Sequence, residues 1–236
     1  MNLFEIKSLV TIRYRKTTFI VVTLMYIVGT LGLIFPYTQP YFKLASAFNL
    51  WVSLVLLLFF HQEYSKSFIV TAVCIFGAGF FIEVAGVHTG IIFGEYWYGQ
   101  TLGTKVFRVP LVIGANWLLL IYCSNAVTQI FFEILKKGLF KNLWFDTIFL
   151  RAIFASLLMV CLDFLIEPVA VYLDFWHWEN NQIPLQNFQT WFLIAFILSS
   201  VFLKGKFSKS NPLALWLFLL QFLFFISINV FNLLFP

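Results

Sequence analysis

Of the 236 residues, 61% are hydrophobic and only 11% are charged, with a formal net charge of +5. Soluble domains carry roughly 45–50% apolar and about 25% charged residues, so the composition excludes a water-soluble globule and indicates a helical protein of the lipid bilayer. Lys and Arg fall in short clusters between apolar segments and build no basic face, which excludes a nucleic-acid partner.

The first sixteen residues are polar and basic, and the long apolar run after them has no small-residue cleavage site. The first segment therefore reads as a retained anchor rather than a signal peptide. Crossing ~30 Å of hydrocarbon takes about 20 helical residues. Seven segments qualify, at about 17–35, 44–60, 67–85, 109–135, 144–166, 185–203 and 212–235. No internal repeat and no domain linker is visible. The expected architecture is all-α: one polytopic bundle of seven transmembrane helices spanning residues 1–236. Cys74, Cys123 and Cys161 lie inside apolar runs, without disulfide or metal-ligand spacing, and read as small buried hydrophobes.

Eleven of the fifteen Lys and Arg residues fall on one side of this topology, whereas Lys43, Lys105 and Arg108 fall on the other. The bias predicts a cell (inner) membrane protein with a cytoplasmic N-terminus and an outside C-terminus. Two polar constellations then share the outer leaflet. One is Glu83 with the loop after it; the other is Asp163 and Glu167 with the loop holding Trp176, His177 and Trp178.

The stretch from Glu83 to Tyr98 places Glu83, His88, Thr89, Tyr96, Trp97 and Tyr98 among Gly86, Gly90 and Gly94. Three glycines in nine residues predict a folded loop, and a carboxylate there marks a functional site because ionisable groups are costly in a bilayer. His88 is a candidate base. Asp163 and Glu167, four apart, share one helix face. Two carboxylates so close in hydrocarbon resist joint ionisation, and such a pair can hold the proton that a general acid needs. Pro168 is expected to end that helix. The rings of Tyr96, Tyr98, Trp176 and Trp178 can stabilise a cation, with anchoring in the interfacial belt as the plainer reading. Asn116, Trp117, Asn187 and Trp191 add polar groups at the same level. No metal is expected. Dinucleotide, phosphate-loop and zinc-protease motifs do not occur, and segment seven has no lysine for a retinal Schiff base.

Glu83-x-x-Gly86-x-x-Thr89-Gly90-x-x-Phe93-Gly94-x-Tyr96-x-Tyr98, followed by Leu102-Gly103 and Val109-Pro110, resembles the membrane carotenoid 1,2-hydratases. That family includes the bisanhydrobacterioruberin hydratases and the γ-carotene or lycopene hydratases. The resemblance extends to Asn116-Trp117, Asp163, Glu167-Pro168, Trp176-x-Trp178 and Pro184-Leu-x-Asn187-Phe-x-x-Trp191, about half the chain. Ile92 stands where a proline often precedes the Phe-Gly pair.

The resemblance implies hydration of the terminal C1=C2 bond of an acyclic carotenoid end group, such as that of lycopene or γ-carotene, without a cofactor. Protonation at C2 leaves a tertiary cation at C1, which water captures. The expected catalytic groups are Glu83, His88, Asp163 and Glu167. Thr89, Tyr96, Tyr98, Asn116, Trp117, Trp176, Trp178, Asn187 and Trp191 are expected around substrate and cation. A transmembrane lycopene-type cyclase would begin with the same protonation, and a proton-coupled carrier is the alternative from another class.

Overall fold

Backbone N–H and C=O groups in hydrocarbon have only each other as partners, so long apolar runs fold as uninterrupted helices. The computed structural model describes residues 3–137 and 146–235. Its helices are α1 (Leu3–Ile34), α2 (Gln39–Phe59), α3 (Lys66–Thr89), α4 (Val112–Lys137), α5 (Ile148–Tyr172), α6 (Leu185–Lys204) and α7 (Ala214–Leu234). All seven are long and apolar enough to cross a membrane, which makes this a multi-pass membrane protein. The predicted start of the fifth segment at Trp144 lies outside the described residues, as does Lys141. Helix α4 packs against α2, α3, α5, α6 and α7 and is the hub of the bundle. Its residues Trp117 and Leu119 to Cys123 are fully buried.

Helices α1 and α2 begin earlier than expected, at Leu3 and Gln39, and further shifts of boundary shape the site. Helix α3 holds Glu83, as expected, and runs to Thr89, so Gly86, His88 and Thr89 are helical rather than part of the loop. Gly90 ends it in the left-handed region (φ 66°), donating its N–H to the Gly86 carbonyl. A Cβ at Gly86 would stand 2.6 Å from the Phe93 ring and 3.0 Å from the Tyr96 hydroxyl, so this glycine serves a close approach and not a turn. Val109 and Pro110, expected to open the fourth helix, instead pair with Lys105 and Val106 in a small hairpin of strands β2 (Lys105–Val106) and β3 (Val109–Pro110).

Pro168 does not end the fifth helix, which continues for four residues to Tyr172. A proline removes one N–H and crowds the carbonyl four residues earlier, and a neighbouring helix can re-satisfy the disturbed turn in a membrane. Here Asn229 of α7 donates to the Leu165 carbonyl in that turn, at 2.8 Å. Cys123 is buried as expected, but Cys74 and Cys161 face outward from the bundle.

Two loops meet over one end of the bundle as an antiparallel ribbon. Strand β1 (Tyr96–Tyr98) pairs with β4 (Trp176–Trp178), in the register Tyr96 with Trp178, Trp97 with His177 and Tyr98 with Trp176. Beyond β1, the Gly99 N–H donates to the Phe175 carbonyl (2.9 Å), and the Gln100 N–H to Asp174 Oδ2 (2.9 Å). A Cβ at Gly99 would lie 2.2 Å from the Asp174 carbonyl oxygen, so only glycine admits this clamp. Partial burial opposes it, yet hydrogen bonds from His177 and the Gln100 amide hold the Asp174 carboxyl below its usual range. At the opposite end of the bundle, buried His61 is paired with the Tyr122 hydroxyl (2.6 Å) and the Glu63 carbonyl (2.6 Å), fixing the turn between α2 and α3.

Candidate functional site

Directly beneath the ribbon, three carboxyl groups lie buried within the helices. Glu83 on α3 is 3% exposed, Glu167 on α5 is 1% exposed, and Asp163, one turn deeper, is wholly buried. None has an ion-pair partner among the described residues. They are held by neutral donors instead.

Glu83 Oε2 accepts from the Tyr96 hydroxyl at 2.6 Å and the Tyr98 hydroxyl at 2.8 Å, and Oε1 accepts from the Trp117 indole at 3.0 Å. Burial, and then the Glu83 carboxylate beside them, push both phenols far above their ordinary range, so both remain protonated donors. Glu167 Oε2 accepts from the Trp176 indole at 3.0 Å and the Trp178 indole at 2.7 Å, and Oε1 accepts from the Asn187 amide at 2.8 Å. Each glutamate therefore meets three neutral donors across its two oxygens. Asp163 is different. Its Oδ2 accepts the Asn187 amide at 3.1 Å, and its buried Oδ1 has no partner.

The local architecture explains this matching. A helix carries a glutamate into the ribbon, the next strand returns two aromatic donors to that same glutamate, and the following helix adds a third. Glu83, Tyr96, Tyr98 and Trp117 form one such set along α3, β1 and α4. Glu167, Trp176, Trp178 and Asn187 form the other along α5, β4 and α6. Because an antiparallel ribbon relates its strands by a local two-fold, centred here on the stacked Trp97 and His177, the two sets face one another. Trp117, the third donor to Glu83, also stacks on Trp191 of α6, with centroids 4.4 Å apart.

The sets are not equivalent. One turn below Glu167 stands Asp163; one turn below Glu83 stands Gly79, where a Cβ would meet the Trp117 Cβ at 2.4 Å. Gly79 thus lets Trp117 reach Glu83, a role not read from the sequence; the glycine pair Gly77 and Gly79 in an apolar helix was the available signal. Asp163 gives the α5 side a second carboxyl.

Glu83 and Glu167 both line a small cavity of about 20 Å³, with Asn116, Trp117, Trp191 and the four ribbon aromatics on its walls. One water needs roughly 10–15 Å³ measured in this way, so the space has room for a single water between the two carboxyl groups. Asp163 does not line it. His88 and Thr89 are not brought in: both are exposed at the end of α3, His88 Nδ1 donating to the Val84 carbonyl (2.8 Å) and the Thr89 hydroxyl to the Ala85 carbonyl (2.7 Å). Next to this cavity, and sharing Ile113, Asn116 and Trp176 with it, lies a larger apolar chamber of about 220 Å³.

A family model described as carotenoid biosynthesis protein matches residues 40–236, taking in every site residue named above. Among curated proteins, the chain is 29% identical over 168 residues to the bisanhydrobacterioruberin hydratase of Haloarcula japonica, covering 66% of this chain and 50% of that protein. The chain thus aligns with about half the length of that relative. No solved structure matches.

Proposed function

Because the chain belongs to the carotenoid biosynthesis proteins, we propose that it hydrates the terminal C1=C2 bond of an acyclic carotenoid end group to a tertiary alcohol. The observation that carries this reading is the one-water cavity with a fully hydrogen-bonded glutamate on either side and a spare carboxyl behind one of them. The hydratase relative supports it by analogy.

Asp163 and Glu167 share Asn187 as a donor and hold one proton between them. Glu167, which faces the cavity, presents that proton to C2. The C2–H bond forms from the π electrons, leaving a tertiary cation at C1. The ring faces of Trp117, Trp191 and the ribbon aromatics stabilise it. Glu83 accepts a proton from the enclosed water as the water oxygen bonds to C1. The proton then returns from Glu83 to the α5 pair, and no electron has left or entered. His88 takes no part in this scheme, since the helix end carries it away from Glu83.

The Lys and Arg bias supports an orientation in the cell membrane with the ribbon outside and the N-terminus in the cytoplasm. Expression in cells that accumulate lycopene or γ-carotene tests the function. The expected product is heavier by one water, and in ¹⁸O-labelled water its hydroxyl carries the label. An isomer of unchanged mass would identify a cyclase, and label from O₂ an oxygenase.

A further inference from the structure

The hydration scheme uses only the small cavity and leaves the 220 Å³ chamber beside it unexplained. The shared walls at Ile113, Asn116 and Trp176 make the two adjoining spaces. The chamber is apolar in character, with sides from α1, α2, α4, α5 and α7. Its exposed lining includes Val28 (51% exposed) and Phe48 (66%), both inside membrane-spanning helices. Its mouth therefore opens sideways, toward lipid, between α1 and α2.

Two glycines of α1 define that mouth. At Gly32 a Cβ would strike the Phe42 ring at 2.3 Å, so α1 and α2 are in close contact there. Three residues earlier, Gly29 lines the chamber, and a Cβ at that position would meet no atom within 4 Å. The first glycine closes the two helices together; the second leaves an opening.

We propose that this chamber binds the polyene arm next to the reacting end group, admitted laterally from the bilayer, with the missing side chain of Gly29 keeping the mouth open. The proposal rests on the hydratase reading of the carboxylate cavity, because continuity with that cavity makes the occupant the substrate's own isoprenoid chain rather than a phospholipid tail. Pockets that enclose a drug-sized ligand run to about 300–1,000 Å³. At about 220 Å³ the chamber encloses one arm, and the remainder of a long carotenoid stays in lipid.

The test compares wild type, Gly29→Trp and Ile27→Trp purified from lycopene-producing cells, with retained lycopene read by absorbance. Ile27 is 49% exposed and lies outside the chamber lining, so Ile27→Trp should behave as wild type. Gly29→Trp should retain at least about tenfold less lycopene, the equivalent of roughly two displaced methylene groups. It should still hydrate a short acyclic monoterpene carrying the same end group. Wild-type lycopene retention by Gly29→Trp would overturn the proposal, as would loss of co-purifying phospholipid with lycopene retained. If the tryptophan variant does not fold, Gly29→Leu replaces it under the same criteria. Wild type that retains lycopene without converting it would refute the hydratase reading and leave the chamber assignment standing. A Gly29→Trp variant that hydrates lycopene as well as wild type would do the reverse, and wild type that neither binds nor converts it would refute both.

Discussion

Glu83 and Glu167 differ less in their own surroundings than in what stands one turn below them, and the proposed scheme divides their tasks by that difference. Glu83 is backed by Gly79 and takes three donors, so it has no second carboxyl with which to share a proton. Glu167 is backed by Asp163, whose Oδ1 is the one carboxyl oxygen of the cluster without a partner. General acid–base groups contribute about 10²–10⁴ in rate. Glu83→Gln and Glu167→Gln should each lower turnover by about that factor, with carotenoid still bound, as measured on purified protein by product formation and absorbance. Asp163→Asn removes the shared proton and should fall in the same range of about 10²–10⁴, although its side chain does not reach the cavity. Normal turnover by that variant would assign the proton to Glu167 alone. His88→Ala should be near neutral. The carboxylates were legible in the sequence because charge in a bilayer is rare and costly. The position of His88 was not: whether α3 ends at Ala85 or Thr89 decides its placement, and that end is decided by Gly90 in a left-handed conformation.

At the scale of helices and strands, the ribbon is the device that turns two helix ends into one site. Neither strand shows in the sequence as more than a short aromatic triplet. Their pairing joins residues about eighty positions apart, beyond the reach of any local pattern. The repetition of the two sets was equally hidden: Glu83 and Tyr96 are 13 residues apart, whereas Glu167 and Trp176 are 9 apart, and tyrosine on one side answers to tryptophan on the other. Helix packing offers a test away from the cavity. Gly79→Ala forces a methyl group against the Trp117 Cβ, and overpacking of this kind costs typically about 1–3 kcal/mol. The melting temperature should fall, and turnover with it, because Trp117 must withdraw its indole from Glu83. Gly77→Ala, where a Cβ would meet nothing within 4 Å, is the matched control.

A second link at this scale joins α4 to α5. Asp146 accepts two hydrogen bonds from Arg151, at 2.6 and 2.9 Å, and is paired with Lys136 at the end of α4. The Arg151 hydrogen bonds come first among the influences that lower its carboxyl from 3.8 to about 2. A carboxylate depressed in the folded state stabilises the protein above its unfolded value, and that contribution is lost as pH falls through the folded one. Asp146→Asn should therefore melt at a lower temperature than wild type at neutral pH. The gap should close between about pH 4 and about pH 2. A gap that persists unchanged at the acid end would show that the link is not ionic.

Seven spans and their order were readable from hydropathy alone, since segment length is dictated by the bilayer and not by tertiary contacts. The ribbon sets the site at one end of the bundle, the charge bias supports that end as the outer one, and the orientation can be tested on the intact molecule. The sequence assigns eleven of the fifteen Lys and Arg residues to the side away from the loops that form the ribbon, and such residues are retained on the cytoplasmic side. Gln100 and Asn181 are exposed on the ribbon side, and Lys206 is exposed at the opposite end of the bundle, beyond α6. In a background with the three native cysteines replaced by serine or alanine, Gln100→Cys and Asn181→Cys should react with an impermeant thiol reagent on intact cells. Lys206→Cys should react only after the cells are opened. The opposite pattern would put the ribbon in the cytoplasm. Both carboxylate sets would then move together, because the ribbon ties them to one end of the bundle, and the proposed hydration would take place at the inner leaflet instead of the outer.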